Sequence, residues 1–509
     1  MDSSGQVPVR LTMSTSHSLS ERRLSRRQML FGSAYVGAGF LAGLTALVGC
    51  APAAAPTPTA APAQAAKPTE APKPAAAAKV DAALAAKRTT GKVPSTSTES
   101  FYIISWEGTG KIEKWQLGIN SFFENFYPNM KLQFDWGVTD YWTKFSTLIG
   151  GGATVDMCWM HDTRSPTFSQ NGMIKPLDEY LKTLPPQGWP ESYYPTQVEE
   201  FRYKGKQYAF PYDWAPGAFY VNVDMLEAAG VQIPTENTTF DDLLKMAQKL
   251  TKNTGDPKTT QYGVILPTGS NTTFWFTRNF NGDLVSGDPP VSHFDDPNTV
   301  EAYQYLYDLL WTHKVMPNPE EMQALGGGSW QAFATGKVGL VYALNDASNS
   351  VANAVGKKFR ITAAPTPKGK NPKRYQFVGG SAFAIPKTAH LPDIAYECMR
   401  WTLANPELLP KIGSMGAGGT FVSNMDFWEH GLPPESTGIP RDAFKKSFFD
   451  LGRTDGVPHV NFVGFLQWDP QVFTKNMSLL WSGAEKDVKK VVGQVHKETV
   501  EFLKTVPSS

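Results

Sequence analysis

Apolar positions between Phe101 and Met160 switch repeatedly between a two-residue and a three-to-four-residue period. Phe101 to Trp106 reads as a strand. Ile112, Trp115, Ile119, Phe122, Phe123 and Phe126 then mark the buried stripe of a helix that stops before Pro128. Leu132, Phe134 and Trp136 alternate as a second strand, a helix lies around Tyr141 to Ile149, three glycines follow at 150–152, and Val155 to Met160 forms a third strand. This β-α-β-α-β order predicts a parallel sheet with right-handed crossovers, and ligands on such sheets sit at the carboxyl ends of the strands. Those ends carry Trp106-Glu107, Gly137-Val138 and Trp159-Met160-His161-Asp162.

The stretch from Gly205 to Thr251 has the clearest local signals. Gln207 to Phe210 is a short strand that Pro211 ends, because proline fixes its own φ and has no N–H. Ala218 to Val221 is a second strand. Asn222 is an N-cap for a helix over Val223 to Ala229, and Gly230 supplies the left-handed stop. Thr239 caps the next helix with Asp242 at the capping-box position, and Phe240, Leu243, Leu244, Ala247 and Leu250 form its apolar face. The run Gly205-Lys206 through Asn222, Asp224, Ala229, Gly230 and Pro234 resembles the first lobe-to-lobe crossover of the bacterial extracellular solute-binding proteins of family 1, the maltose-binding type that serves ABC importers. Trp330 to Leu340 and Gly379 to Pro386, with the helix Ala395 to Leu403 after the second, resemble later crossover segments of that family. The likeness, weaker elsewhere, spans about Ser100 to Lys504.

The resemblance implies an α/β fold of two lobes, the type II periplasmic-binding-protein arrangement, each lobe a mostly parallel sheet flanked by helices. It assigns residues 100–211 and 339–379 to lobe 1 and residues 212–338 and 380–509 to lobe 2, joined by a three-strand hinge. Pro406 to Ile412 and Gln494 to Leu503 read as helices. Met415 to Phe421 and Val457 to Trp468 read as loops.

A chain of 509 residues suits two or more lobes better than one core. Of its 48 Lys+Arg and 47 Asp+Glu, residues 1–99 hold 11 and 5, leaving 37 and 42 for the remainder. A mildly acidic body argues against nucleic acid as a partner. Residues 1–49 read as an export signal. Arg26-Arg27 lies in a run that resembles the twin-arginine signal, the stretch Met29 to Val48 is apolar, and Leu47-Val48-Gly49-Cys50 resembles a lipobox that would place a lipid on Cys50. An uncleaved membrane anchor is the alternative, and Met13 is a second candidate start. Residues 50–99 are rich in Ala, Pro and Thr with almost no large apolar side chain, so they read as a disordered tether. The folded part is thus expected outside the cytoplasmic membrane, periplasmic or extracellular, as a monomer without cofactor or metal. Export leaves open whether Cys158 and Cys398 are bridged or free.

Sugars present apolar C–H faces and rims of hydroxyls, so a sugar site needs flat rings and planar polar side chains. The chain has 14 Trp residues. Trp159-Met160-His161-Asp162 resembles the Trp-Ala-His-Asp run of maltose-binding proteins, which implies sugar contacts for Trp159 and Asp162. In place of the Arg that follows in that run this chain has Thr163, then Arg164. Trp106 and Glu107 end the first strand, ahead of the Gly108-Thr109-Gly110 turn, and Asp213 and Trp214 follow the crossover strand. Trp275 and Trp468 are further candidate platforms, and Arg278 would matter for a phosphorylated solute. The expected role is capture of a sugar or oligosaccharide for an ABC permease. The alternatives are a secreted carbohydrate-active enzyme using paired carboxylates such as Glu107 and Asp162, or a ligand-sensing surface protein on the same fold.

Overall fold

The strands expected between Phe101 and Met160 form as Ser100–Ile104 (β1), Lys131–Asp135 (β2) and Met157–His161 (β3), with helices Ile112–Phe126 and Tyr141–Gly150 between them. This computed structural model describes residues 93–506 apart from 109–111, 371–372, 406–407, 409–420, 423–424, 426–428 and 430. The export signal, Cys50, most of the tether, Thr109, Gly110 and nearly all of Pro406 to Ile412 and Met415 to Phe421 lie outside the described residues.

In lobe 1 the strand order is β2-β1-β3 in parallel. It is extended by two later strands, Ala209–Pro211 (β4) and Ser381–Ala384 (β10). β10 lies antiparallel between β3 and β4, with Phe383 opposite both Trp159 and Phe210. In lobe 2 one long strand, Asp213–Asn222 (β5), organises the sheet. Antiparallel to it lie Val338–Leu344 (β7), Ile361–Ala364 (β8), Gln376–Gly379 (β9) and Phe421–Val422 (β11). Tyr262–Ile265 (β6) runs parallel to β7, and Gly456–Val457 (β12) parallel to β9. The mostly parallel sheet expected for each lobe therefore holds in lobe 1. Lobe 2 is mixed, because chain segments return alongside β5 in the opposite direction.

The caps form as the residues dictate. The Met225 N–H donates to Asn222 Oδ1 at 3.0 Å, Gly230 has φ of 62°, and Thr239 and Asp242 exchange both capping-box bonds. The Phe240–Leu250 helix buries Phe240, Leu243, Ala247 and Leu250.

Two strand pairs carry the chain between lobes: β4 continues into β5 through Tyr212, and β9 into β10 through Gly380. The pairing persists across the break, since the Tyr212 N–H donates to the Ser381 carbonyl at 2.9 Å while Val378 and Gly379 face Pro216 and Ala215. Leu408 packs in the lobe-1 core, and Phe421 pairs with Trp214 of β5 in lobe 2.

This corrects the expected lobe boundaries. Residues 339–379 belong to lobe 2, because Leu340 pairs with both Val221 and Val264 inside its sheet. The segment from Ser381 to Leu403 belongs to lobe 1. There β10 completes the sheet, and the helix Pro392–Ala404 packs on Ile112–Phe126, with Trp401 edge-on to Phe126 and the Tyr127 hydroxyl donating to Glu397 at 2.9 Å. The expected return to lobe 1 near residue 339 does not occur.

Of the four segments expected to be loops or helices near the C-terminus, two lie wholly among the described residues, and Val457 to Trp468, expected as a loop, begins in the short strand β12 and ends in a helical turn, Phe465–Trp468. Gln494 to Leu503 lies within the helix Val488–Thr505. Trp468 is fully buried among Phe294, Phe462, Phe465 and Phe473, and its indole N–H donates to Thr499 Oγ1 at 2.9 Å. Trp468→Ala should cost about 3–5 kcal/mol of unfolding free energy, as cavity-forming aromatic truncations do. Denaturant titration checks this, and a loss well under that range would mean the ring is not a core element.

Candidate functional site

The hinge is fixed by two carboxylates from different elements. Asp162, just past β3, is buried, and its carboxylate accepts from the Thr163 N–H at 2.5 Å, the Gly380 N–H at 3.2 Å and His161 Nδ1 at 2.6 Å. Asp213, at the start of β5, accepts from the Ser381 N–H at 2.6 Å. Both crossing strands are thus held by side chains at the carboxyl edge of the lobe-1 sheet. Gly380 is needed for this approach, because a Cβ there would lie 2.3 Å from Gln197 Oε1 and 2.5 Å from the Asp213 carbonyl. Burial alone would raise the Asp162 pKa. The charge and hydrogen bond of His161, with help from His459 and the Gly380 N–H, outweigh burial and keep it below the usual carboxylate range. Asp162 thus has no exposed surface, and its carboxylate is already filled by N–H groups and His161, which suits neither a proton donor nor an open sugar contact.

Beside it, the strand ends build a wall of partly buried rings. Trp106 lies edge-on to Tyr141 (5.0 Å between ring centroids), 5.3 Å from Trp142 and 6.4 Å from His161. Trp136 stacks on Phe134 at 4.7 Å and meets Trp159 edge-on at 5.4 Å. The Arg164 guanidinium sits 5.4 Å from the centre of the Trp142 ring. Glu107 is mostly buried and accepts from the Tyr212 hydroxyl at 3.3 Å. The structure thus brings Trp106, Glu107, Asp162 and Asp213 together where the two lobes join. It adds Trp136, Trp142 and Arg164, which the sequence reading did not select. Trp136 had a signal, as the last alternating residue of β2. Trp142 sits in the first turn of a helix, where nothing local marks it.

Four expected platforms are instead packed inside the lobes. Trp159 is fully buried, with Phe383 at 4.4 Å on one side and Trp136 on another. Trp214 stacks on Tyr194 at 3.8 Å, and Trp275 on Tyr342 at 5.0 Å. Trp468 fills the core described above. All four rings are buried, and the faces of Trp214 and Trp275 are covered by stacked rings, so none is open to a sugar. Arg278 is paired with Asp283 at 3.3 Å. Cys158 and Cys398 are both free and buried, and burial pushes both thiols up.

The lobes also meet away from this wall. Glu200 of lobe 1 accepts from the His459 N–H of lobe 2 at 3.0 Å, the Gly464 N–H donates to Thr167 Oγ1 at 3.2 Å, and Asn461 Nδ2 donates to the Asp162 carbonyl. A cavity of about 600 Å³ opens there, bounded by Glu200 and Tyr203 on one lobe and by Pro289, Pro458, Phe462 and Leu503 on the other. None of the residues selected from sequence lines it, and Asn461 stands between it and Asp162. Volume alone would place the site here, but the aromatic wall is the better candidate because it combines ring surface with convergent polar groups. Burial raises the Glu200 pKa well above the ordinary value, and the Asp162 and Asp213 charges add to this; the His459 N–H and Gln197 oppose it. Gln197 Nε2 donates to Glu200 Oε2, and Gln197 Oε1 has no hydrogen-bond partner among the described residues.

A family model, bacterial extracellular solute-binding protein, matches residues 108–407 of the chain. The arabinooligosaccharide-binding protein of Bacillus subtilis is 22% identical over 347 residues, covering 66% of this chain and 76% of that protein. Among solved structures, an ABC substrate-binding protein from Listeria monocytogenes in complex with cycloalternan superposes with a TM-score of 0.69 at 17% identity, covering 80% of this chain and all of the other. Maltose-bound MalE3 of T. maritima gives a TM-score of 0.62 at 17% identity, again over 80% of this chain and 100% of the other. At such identity the structural likenesses establish the two-lobed fold.

A raised Glu200 pKa means that the folded chain keeps a proton that the unfolded chain releases near pH 4.3, so stability falls as pH rises above about that value. Glu200→Gln mimics the protonated form. Its unfolding free energy should gain on that of the native chain as pH increases from about 4 towards 8, measured by urea titration at each pH. A constant difference across the series would show that Glu200 ionises normally.

Proposed function

The chain belongs to the bacterial extracellular solute-binding protein family, and from that membership we propose that it captures a sugar or oligosaccharide between its lobes and delivers it to the permease of an ABC importer. The family match over residues 108–407 carries this reading. The wall of Trp106, Trp136 and Trp142 beside the hinge supports it, because ring faces at the junction of two lobes suit the C–H faces of sugars. The relatives named above are described as binding arabinooligosaccharide, cycloalternan and maltose. Solute that touches both lobes does so only when they close, so its binding energy shifts the population toward the closed form that a permease can recognise.

The protein binds and releases its solute unchanged. Its most buried hinge carboxylate is held as an anion by N–H groups, which leaves it unable to donate a proton to a leaving group. We assign it to the outer face of the cytoplasmic membrane, exported through the twin-arginine route and anchored by a lipid on Cys50, with the Ala/Pro/Thr-rich segment as its tether and a monomeric body. Trp106, Glu107 and Asp213 are the sequence-selected residues kept as candidate solute contacts. Trp159 and Asp162 support them from behind.

The test is a thermal-shift screen of the purified chain against mono- and oligosaccharides, polyols, glycerol phosphates and amino acids, with the ligand recovered and analysed afterwards. A sugar at a hundredfold excess over its Kd should stabilise the fold by about 2.7 kcal/mol, a saturable rise in melting temperature, and be recovered intact. Turnover of a hit, or a response only to non-sugars, would contradict the reading.

A further inference from the structure

Arg164 is a partly buried cation at the edge of the aromatic wall, and it forms no ion pair among the described residues. Burial lowers its pKa from the usual guanidinium value; the Asp469 and Asp162 charges oppose this from a distance. Asp162 is not available to neutralise it, since that carboxylate already takes the Thr163 and Gly380 N–H groups and His161. Asp469, on lobe 2, accepts from Ser270 Oγ and, at 3.4 Å, from Thr474 Oγ1. A guanidinium removed from water without a partner is costly, so a site that keeps one has an anion to put there.

Next to it, His161 completes the charge pattern. Its Nδ1 faces Asp162 at 2.6 Å and Thr163 Oγ1 at 2.9 Å, its Nε2 makes no hydrogen bond among the described residues, and 40% of its side chain is exposed. Burial would lower its pKa, but the Asp162 charge and hydrogen bond, with Asp213 adding, raise it, while Arg164 opposes the rise. His161 thus stands between the Asp162 carboxylate in the hinge and the Trp106 ring of the wall. Trp142 holds the guanidinium by a cation–π contact, and Phe168 stacks on the same indole at 5.7 Å, which fixes the Arg164 direction. The partly exposed Trp106 ring is 5.3 Å from Trp142 and 6.4 Å from His161, so it adjoins both the cation–π site and the imidazole.

Building on the sugar-binding reading, we infer that this wall selects a saccharide bearing a carboxylate, a uronic acid or a uronate-containing oligosaccharide. Arg164 takes the carboxylate, and Trp106 takes the C–H face of the same sugar ring, with His161 Nε2 as a second donor whenever the imidazole carries both protons. Arg164 is therefore a specificity-determining residue, and the solute's carboxylate supplies the anion that the fold itself does not bring into contact.

The experiment is calorimetric titration of the full chain with matched pairs: galacturonate against galactose, glucuronate against glucose, and digalacturonate against a neutral disaccharide. At least one uronate should bind about tenfold or more tightly than its neutral partner, the scale of one charge-assisted hydrogen bond. Arg164→Gln should collapse that ratio to about one while melting within a few degrees of the native chain, and Arg278→Gln, whose guanidinium is already paired with Asp283 on its own lobe, should keep it. Neutral sugars binding as well as uronates, or a uronate preference that survives Arg164→Gln, would overturn the inference. The former leaves the sugar reading intact and assigns the Arg164 charge to Asp469 across the cleft. Binding of neither class, with a response to non-sugar solutes, would overturn both.

Discussion

The Asp162 carboxylate, with no exposed surface, accepts the N–H groups of Thr163 and Gly380 and the ring of His161, and the lobe junction is arranged around holding that anion in place. A buried charge is tolerated only when its lone pairs are filled. Here the filling groups belong to the β3 end and to the residue at which the β9–β10 crossing changes lobes. Asp213 repeats the device one residue along, on Ser381. The crossing strands are therefore pinned at a point fixed to lobe 1, while β5 and β9 belong to lobe 2. The same turn, residues 161–164, supplies both the hinge anion and the Arg164 guanidinium at the wall, so the proposed binding in the cleft would act directly on the hinge.

The wall follows from the strand ends. Parallel β1, β2 and β3 bring Trp106, Trp136 and His161 to one edge, and the first turn of Tyr141–Gly150 adds Trp142. The buried Trp159 supports Trp136 from behind, in edge-on contact at 5.4 Å. Rings that pack on other rings keep fixed orientations, so a solute at the proposed site would meet a surface with little entropy left to lose.

Local chemistry was legible in the sequence where a feature is decided by neighbours in the chain. Asn222, Gly230 and the Thr239-Asp242 box were read from their spacing, because a cap is made within four residues. The first three strands and two helices were read from period alone. Lobe membership was not legible. Val338–Leu344 and Ser381–Ala384 are both short apolar strands, and nothing in their pattern says that the first pairs with β5 and the second with β3. The tryptophans show the same limit. Trp106 and Trp142 keep a partly open ring while Trp214, Trp275 and Trp468 are enclosed, a difference set by Tyr194, Tyr342 and Thr499, which lie 20 to 67 residues away in the chain. Asp162 was placed correctly at the sheet edge, but its partners on Gly380 are 218 residues away, so its turn toward the hinge could not be read locally.

The central claim is that the two lobes move about the Tyr212 and Gly380 crossings and close on solute. Cys158 and Cys398 are buried with thiols pushed up by burial, so labels can be directed to cysteines introduced at exposed sites on each lobe, Lys182→Cys and Lys249→Cys, with Cys50→Ser. The distance between spin labels at these two positions is the most direct measurement. Two distance populations are expected, with the shorter one growing as solute is added and reaching half of its final share at the binding midpoint. A single distance that solute leaves unchanged would contradict it.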